Sequence, residues 1–269
     1  MTYATPIGGL PKQDTSLTGK AIFTNSYAVI PAGVMRDIVT SNLPYWKKSR
    51  AWILARPLSG FSETFSQYII EILPDGGSEN PEPEMGVEGI IFVTSGNLKL
   101  KNSLGDHDLK VGGYVYCPPD DPYSIVNTSS QTATIHFYRK RYLSIPGVST
   151  PKPFVTNEKN HKPVIMDHSH GKWSTTRFVA PEDLEHDMHV NIVNFKPEGV
   201  IPFEETHVME HGIYILEGSA DYLLNKDWVQ VEAGDFLWLR AFCPQACRNT
   251  GNSDFRYLLY KDVNRHPTI

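Results

Sequence analysis

The chain has 269 residues, of which 40% are hydrophobic and 20% are charged, and its formal net charge is −5. This composition is that of an ordinary globular protein, and the length is sufficient for one large domain or two modest ones. Lysine and arginine form no polybasic run, and binding to phosphate backbones or anionic membranes needs clustered positive charge. We therefore expect neither a nucleic-acid nor a membrane partner. Twenty glycines and twenty prolines favour a β-rich fold with many turns.

The amino-terminal residues and the cysteines bear on cellular location. Met1 to Lys20 lacks the charged and then apolar pattern of a secretory signal, and no apolar run approaches the ~20 residues that span a bilayer. Cys117, Cys243 and Cys247 do not form a disulfide framework, and two thiols at C-x3-C spacing do not complete a zinc site. We expect a cytoplasmic protein whose cysteines are small buried side chains.

The first β-rich region contains runs of β-branched and aromatic residues between glycine turns, a pattern typical of antiparallel strands. These runs are Tyr68 to Gly77, Gly89 to Leu100 and Val111 to Pro119, with His136 to Tyr142 as a closing strand. Residues 1–145 are therefore predicted to form an amino-terminal domain.

A proline-rich stretch follows, with prolines at positions 146, 151, 153 and 163. Residues 146–163 are predicted to be a linker, and residues 164–269 to be a second domain. The second domain repeats the strand and turn order of the first, and an internal duplication predicts two β-domains in tandem. The repeated runs are Asn191 to Gly199, His211 to Ala220 and Glu232 to Leu239, and Phe255 to Lys261 is the closing strand.

One constellation in the second copy predicts a metal site. Residues 199–218 read Gly-x5-Glu-x-His-x3-His-x6-Gly, which places Glu205, His207 and His211. Residues i and i+2 of a strand share a face, so Glu205 and His207 point the same way, and His211 has the same parity. Gln245, separated by ten residues from Gly234 of a glycine turn, could come from a neighbouring strand as a fourth ligand. One carboxylate, two imidazoles and one amide suit Mn²⁺, Fe²⁺ or Zn²⁺ better than Ca²⁺.

These two patterns resemble the cupin motifs, normally G-x5-H-x-H-x3,4-E-x6-G and G-x5-P-x-G-x2-H-x3-N, with the order of the ligands changed. Here Glu205 stands in place of the first His, His211 in place of the Glu, and Gln245 in place of the last His. This E-x-H-x3-H…Q set, together with Tyr257 to Arg265 at the end of the chain, resembles the (S)-ureidoglycine aminohydrolase family. The segments Gly112 to Pro119 and Tyr138 to Tyr142 fit the same family, and the likeness extends from about residue 20 to the end.

The resemblance implies an all-β fold of two cupin barrels, a tandem double-stranded β-helix. It also implies Mn²⁺-dependent hydrolysis of (S)-ureidoglycine to (S)-ureidoglycolate and ammonia, a step of allantoin degradation in purine catabolism. Two-barrel cupins commonly associate, so a homo-oligomer is expected. The residues that the family pattern selects are Glu205, His207, His211 and Gln245 as metal ligands, Tyr222, Tyr257 and Lys261 as substrate contacts, and Glu205 and Lys261 as catalytic groups.

The first copy is predicted to be free of metal, because the intervals of the second copy fall on Pro83, Met85 and Gly89, which are not usual ligands. A shift of one residue would instead align Glu82, Glu84 and Glu88, which leaves a site made only of carboxylates as an alternative. The remaining histidines show no ligand pattern and are assigned no role. These are His107, His136, His161, His168, His170, His186, His189 and His266.

Two other functions remain open at this point. The first is another metal-dependent enzyme with two cupin barrels that acts on a small organic acid, although such decarboxylases and dioxygenases usually carry three histidines and one Glu in the standard order. The second is a non-catalytic cupin that binds a sugar or another small molecule. That function predicts degenerate metal sets in both copies, whereas the second copy here is complete. A fold alone does not decide among these functions.

Overall fold

The computed structural model describes residues 20–34, 41–57, 60–262 and 265. The prediction from the amino-terminal residues therefore falls mostly outside the described residues. Val263 and Asn264 of the terminal motif, and His266, also lie outside them. Among the described residues, neither of the two short 3-10 helices has the length and hydropathy of a membrane span.

The amino-terminal barrel is built mainly by one sheet of nine strands. Its order is β11-β8-β5-β10-β4-β9-β6-β7, with β3 on the other side of β4, and the pairings are antiparallel. The strands are β3 (Trp46–Ala55), β4 (Phe65–Ser78), β5 (Val87–Ser95), β6 (Leu98–Asn102), β7 (Gly105–Leu109), β8 (Gly113–Cys117), β9 (Ser124–Val126), β10 (Ala133–Arg141) and β11 (Phe154–Asn157).

The carboxy-terminal barrel repeats this arrangement in an eight-stranded and a three-stranded sheet, ordered β1-β2-β18-β15-β20-β14-β13-β12 and β17-β16-β19. The strands are β1 (Ile22–Phe23), β2 (Tyr27–Ile30), β12 (Val164–Ile165), β13 (Trp173–Thr176), β14 (Met188–Phe195), β15 (His211–Glu217), β16 (Ser219–Leu224), β17 (Asp227–Glu232), β18 (Phe236–Leu239), β19 (Gln245–Arg248) and β20 (Phe255–Asp262). The predicted all-β fold of two cupin barrels is confirmed.

The strands of the main sheets are buried on both faces because the two barrels pack against each other. In β20, Phe255 and Tyr257 point into the carboxy-terminal barrel, whereas Leu258 and Tyr260 point into a core shared with the amino-terminal barrel. The ring of Tyr260 stacks on Phe65 from the other barrel, with ring centroids 3.8 Å apart. This two-sided burial explains why these strands read as nearly continuous apolar runs rather than as alternating ones. A separate third core fills the amino-terminal barrel.

The segment that precedes each barrel pairs with the other barrel. Strand β2 comes before the amino-terminal barrel, yet Ala28 pairs with Trp238 of β18 in the carboxy-terminal barrel. Strand β11 comes before the carboxy-terminal barrel, and Phe154 pairs with Tyr116 of β8 in the amino-terminal barrel. The predicted division at residues 145 and 163 stays a prediction, but strand pairing crosses it in both directions, and the predicted linker contains β11.

The acidic residues of the first copy have separate partners. Glu82 binds the guanidinium of Arg139, and Glu84 lies against Arg141. Glu88 is fully buried, and its Oε2 accepts a 2.6 Å hydrogen bond from the Tyr116 hydroxyl. The alternative site made of these three carboxylates is therefore not supported. All three cysteines are buried and free, as predicted.

Candidate active site

The interior of the carboxy-terminal barrel contains a cavity of about 230 Å³. It gathers every site residue selected from the sequence, although they come from five separate segments of the chain. The lining includes Glu205, His207, His211, Tyr222, Gln245, Tyr257 and Lys261. The chemical roles of these residues stay predictions.

Glu205 and Gln245 are held opposite each other by their backbones. The two residues form an isolated antiparallel β-bridge in which each N–H donates to the carbonyl of the other residue, at 2.9 Å in both directions. Directly paired residues of an antiparallel bridge project their side chains to the same side. The predicted first and fourth ligands are therefore brought together although four strands, β15 to β18, lie between them in the chain.

His207 and His211 are adjacent across the same wall of the cavity, with ring centroids 5.0 Å apart. His207 Nε2 lies 3.5 Å from Glu205 Oε1, so these two side chains face each other. Within the described ranges, no three His, Cys, Asp or Glu side chains are already gathered closely enough to enclose an ion. The donors thus share one cavity, but their side chains would have to rotate to meet at a single point.

His211 is fixed in the form that binds metals. Its Nδ1 lies 2.9 Å from the backbone carbonyl of Glu210, and a carbonyl can only accept, so Nδ1 carries the proton and Nε2 keeps its lone pair. Burial, with a further contribution from the nearby His207, lowers the pKa of His211 to about 3. The ring is therefore a neutral imidazole near pH 7, and its second nitrogen is oriented by a backbone group, as is usual for metal-binding histidines.

Gln245 is oriented by Tyr222. The Tyr222 hydroxyl donates a 2.9 Å hydrogen bond to Gln245 Oε1, and both side chains are almost completely buried. An amide oxygen has two lone pairs, so this bond leaves one of them available. Tyr222 and Tyr257 pack edge to face with ring centroids 6.1 Å apart. Burial raises the pKa of both hydroxyls well above the usual tyrosine range, so both remain hydrogen-bond donors.

Glu210, inside the Glu-Thr-His-Val-Met-Glu-His segment, anchors this wall to the other barrel. Its buried carboxylate accepts hydrogen bonds from the backbone N–H groups of Glu63 and Thr64, at 3.0 and 2.6 Å, and from Trp238 Nε1 at 2.9 Å. Glu210 was not among the predicted site residues, because an acidic residue beside two candidate ligands shows no pattern that distinguishes an anchor from a solvated charge. The loop that carries His207 is thus held between the two barrels.

Lys261 occupies the centre of a row that crosses three strands. It pairs with His211 of β15 on one side and with His189 of β14 on the other. Burial lowers the pKa of Lys261, and the charge of Arg177 lowers it further. His189 is buried as well, its Nε2 has no partner among the described residues, and its pKa falls to about 3, first because of burial and then because of Lys261.

The cavity also has polar lining residues that were not predicted. Trp173, Thr175 and Arg177 line one side, and Asn191 lines the neighbouring strand. The first three are spaced by two residues along β13 and its continuation, which is the period of one strand face. That alternation was a usable signal, but the segment is short and follows the predicted linker, so it was not interpreted. As a whole, the cavity combines a mixed N/O donor set with two cationic side chains and suits a small anionic molecule.

Comparison with known proteins agrees with this arrangement. Residues 191–260 match the family described as Cupin domain. The chain is 31% identical over 247 residues to the (S)-ureidoglycine aminohydrolase of Escherichia coli strain K12, which covers 91% of both chains. A crystal structure from Pseudomonas aeruginosa, provisionally described as a glyoxylate-induced protein, is 57% identical with a TM-score of 0.91 and covers 100% of this chain and 98% of that one.

A more distant structure supports the fold alone. Bacillus subtilis oxalate decarboxylase is 11% identical with a TM-score of 0.67, and the match covers 93% of this chain and 80% of that one. The Escherichia coli relative, in contrast, matches across both barrels and not only across the carboxy-terminal one. The chain therefore belongs to the (S)-ureidoglycine aminohydrolase family of two-barrel cupins.

Proposed function

We propose that this protein hydrolyses (S)-ureidoglycine to (S)-ureidoglycolate and ammonia with Mn²⁺ bound in the carboxy-terminal barrel. The observation that supports this proposal most directly is the cavity itself, where four N/O donors and an amine face the same space. Membership of the family gives the substrate, because the Escherichia coli relative has this name and matches over nine-tenths of the chain.

The donor set fits a divalent transition metal. Glu205, His207, His211 and Gln245 offer two oxygens and two imidazole nitrogens, a combination that Mn²⁺, Fe²⁺ and Zn²⁺ accept. The neutral state of His211 and the orientation of Gln245 by Tyr222 are consistent with ligation. A metal bound there would act as a Lewis acid that stabilises negative charge as the reaction proceeds.

The remaining side chains can bind and orient the substrate. Lys261 is a compact cation and suits the substrate carboxylate. The buried Tyr257 hydroxyl can donate to the substrate, and the Tyr222 hydroxyl, whose proton goes to Gln245 Oε1, can accept from it, so that together they can distinguish one enantiomer from the other. In the reaction, the oxygen of a water molecule bonds to the carbon that carries the amine, the C–N bond breaks and ammonia leaves. Glu205 would accept the proton that this water loses and return it to the departing amine, which then leaves as ammonia.

The test is ammonia release from freshly generated (S)-ureidoglycine, measured with and without Mn²⁺ against the spontaneous rate. Glu205→Ala is expected to abolish the metal-dependent acceleration. Glu204→Ala is the matched control, because Glu204 is the exposed neighbouring carboxylate and does not line the cavity. Acceleration that persists in Glu205→Ala, or no acceleration in the wild-type protein with Mn²⁺ bound, would contradict the proposal.

Metal content distinguishes the two possible roles of Glu205. In Glu205→Gln, an amide oxygen can still ligate but cannot accept a proton. Loss of turnover with one Mn²⁺ per chain retained would support the role as a base, whereas retained turnover with metal bound would remove it. Metal analysis of the purified protein also decides among Mn²⁺, Fe²⁺ and Zn²⁺.

A further inference from the structure

Arg177 is the second cation of the cavity that contains Lys261. It follows β13 and lies on the same strand face as Trp173 and Thr175, and all three residues line the cavity. Neither Arg177 nor Lys261 forms an ion pair or a side-chain hydrogen bond with another residue in the described parts of the chain. Other arginines in the described part of the chain have acidic partners, as Arg139 and Arg256 show.

Two like charges in one partly enclosed space destabilise the folded protein when no anion is bound between them. Arg177 and Lys261 line the same cavity, so their positive charges repel each other. Within the described part of the chain, Glu205 is the one carboxylate that lines this cavity, and its Oε1 faces His207. A metal held by Glu205 would engage that negative charge and leave both cations without compensation. Such an arrangement is stabilised by an anion that enters from solution.

The chemistry of the two cations is complementary. An arginine presents two parallel N–H donors in a plane that matches the two oxygens of a carboxylate, whereas a lysine amine is a point charge. Asn191, on the strand between those that carry Arg177 and Lys261, adds a neutral amide to the same wall. A carboxylate seated here would be recognised by its shape as well as by its charge.

We propose that Arg177 is a substrate-binding residue that, together with Lys261, holds the carboxylate of a small α-substituted acid and so positions the α-carbon beside the metal donors. This inference rests on the proposed function and adds to it a specificity residue from a strand outside both cupin motifs. It makes Arg177 a determinant of affinity and not of the chemical step.

Kinetics of Arg177→Gln and Arg177→Lys test this assignment. Charge-assisted hydrogen bonds contribute about 1.5–3 kcal/mol, so Arg177→Gln should raise KM by at least about tenfold and change kcat by less than about threefold. Arg177→Lys keeps the positive charge but removes the two parallel N–H donors, and it should give an intermediate KM. Arg141→Gln is the control, since it removes the same charge from an exposed side chain of the other barrel. An unchanged KM in Arg177→Gln would overturn the inference.

A second measurement separates this inference from the proposed function. Glycolate has the carboxylate but no leaving amine, and calorimetric titration of the metal-loaded protein measures its binding without any turnover. Wild-type binding that weakens at least about tenfold in Arg177→Gln, but not in Arg141→Gln, supports the inference even if ammonia release is absent. No detectable glycolate binding in the wild type, or equal binding in Arg177→Gln, overturns it.

Thermal unfolding tests whether Arg177 has a purely structural role. Because Arg177 has no acidic partner among the described residues, its removal should leave the melting temperature of the anion-free protein unchanged or raise it. Added glycolate should raise the melting temperature of the wild type more than that of Arg177→Gln. A large drop in the melting temperature of the anion-free variant would show that Arg177 supports the fold, and would overturn the inference.

Discussion

Lys261 lies directly opposite His211 in the ladder between β15 and β20. Paired residues of an antiparallel sheet have their Cβ atoms about 4.5–5.5 Å apart on the same face, so a cationic amine sits beside a candidate metal ligand. The protonated amine disfavours a proton on the imidazole, and its charge also opposes a nearby metal ion. If the proposed roles of Lys261 and His211 hold, we expect substrate affinity and metal affinity to compete at this position.

Lys261→Met is expected to separate these two affinities. Methionine keeps most of the side-chain volume but removes the charge, so KM for (S)-ureidoglycine should rise at least about tenfold. The dissociation constant for Mn²⁺ should fall by a few-fold, because the repulsion has been removed. The measurements are steady-state kinetics and competition of Mn²⁺ with a metal indicator. Weaker Mn²⁺ binding in the variant would contradict this account of Lys261.

Tyr222→Phe removes the hydroxyl that orients Gln245. Mutations of groups that orient metal ligands typically cost 10–100-fold in metal affinity, and we expect a loss in this range for Mn²⁺. Tyr27→Phe is a matched control, since it removes a tyrosine hydroxyl that donates to Asp227 at 2.8 Å, away from the cavity. If both variants bind Mn²⁺ as tightly as the wild type, Gln245 is not a ligand or does not need Tyr222.

Glu210→Ala is expected to destabilise the protein and to weaken metal binding. It leaves the donors of Glu63, Thr64 and Trp238 unpaired in a buried place, which should cost about 2–4 kcal/mol in the free energy of unfolding. Urea unfolding measures this loss, and Glu204→Ala is the exposed control. A change below 0.5 kcal/mol, on the order of that seen for ordinary surface substitutions, would show that the anchor is dispensable.

Glu88 makes stability depend on pH. It is fully buried, and its pKa lies well above the usual range because of burial and because of Asp187. Among the described residues, Glu88 Oε1 and Asp187 Oδ1 have no other hydrogen-bond partner. Asp187 is ionised, because Lys140 Nζ lies 2.6 Å from its Oδ2. The negative charge of Asp187 and the burial of Glu88 therefore both favour the protonated form of Glu88 in the folded protein.

The sign of this dependence follows from the raised pKa. Above the ordinary Glu pKa near 4.5, the unfolded chain releases the Glu88 proton while the folded protein keeps it. Stability therefore falls as pH rises, by up to about 1.4 kcal/mol per pH unit, until the folded group also ionises. Glu88→Gln cannot titrate, so its stability relative to the wild type should increase from pH 5 to pH 8 in urea unfolding. Parallel pH profiles would contradict a raised pKa of Glu88.

That the candidate ligands line one cavity was predictable, because it depends on local spacing. Glu205, His207 and His211 share parity along one segment, and a glycine turn with a later polar residue indicated Gln245. The residues that act across the barrels were not predictable in this way. Glu210 binds Glu63 and Thr64 through contacts that span almost 150 residues, and no local pattern encodes which distant backbone an acidic side chain will meet.

The positions of strands β3 and β2 could not be predicted from local sequence patterns either. The long strand β3 was not predicted, because Trp46 to Ala55 contains three basic residues and reads as a solvated segment until its pairing with β4 is known. The pairing of Ala28 with Trp238 was also not predicted, since the register between strands 210 positions apart depends on how the whole barrels pack.

The reciprocal pairing of β2 with β18 and of β11 with β8 makes each half of the chain incomplete without the other. A cut at the exposed Gly147 would leave β2 on the first fragment and β11 on the second, so each fragment would carry the strand that covers the open edge of its counterpart. Open edges invite aggregation. We expect the two fragments to be insoluble when produced separately, but to assemble into one working complex when produced together, as size-exclusion chromatography and ammonia release would show. Each barrel thus needs the other to complete its fold, as the subunits of an obligate dimer do.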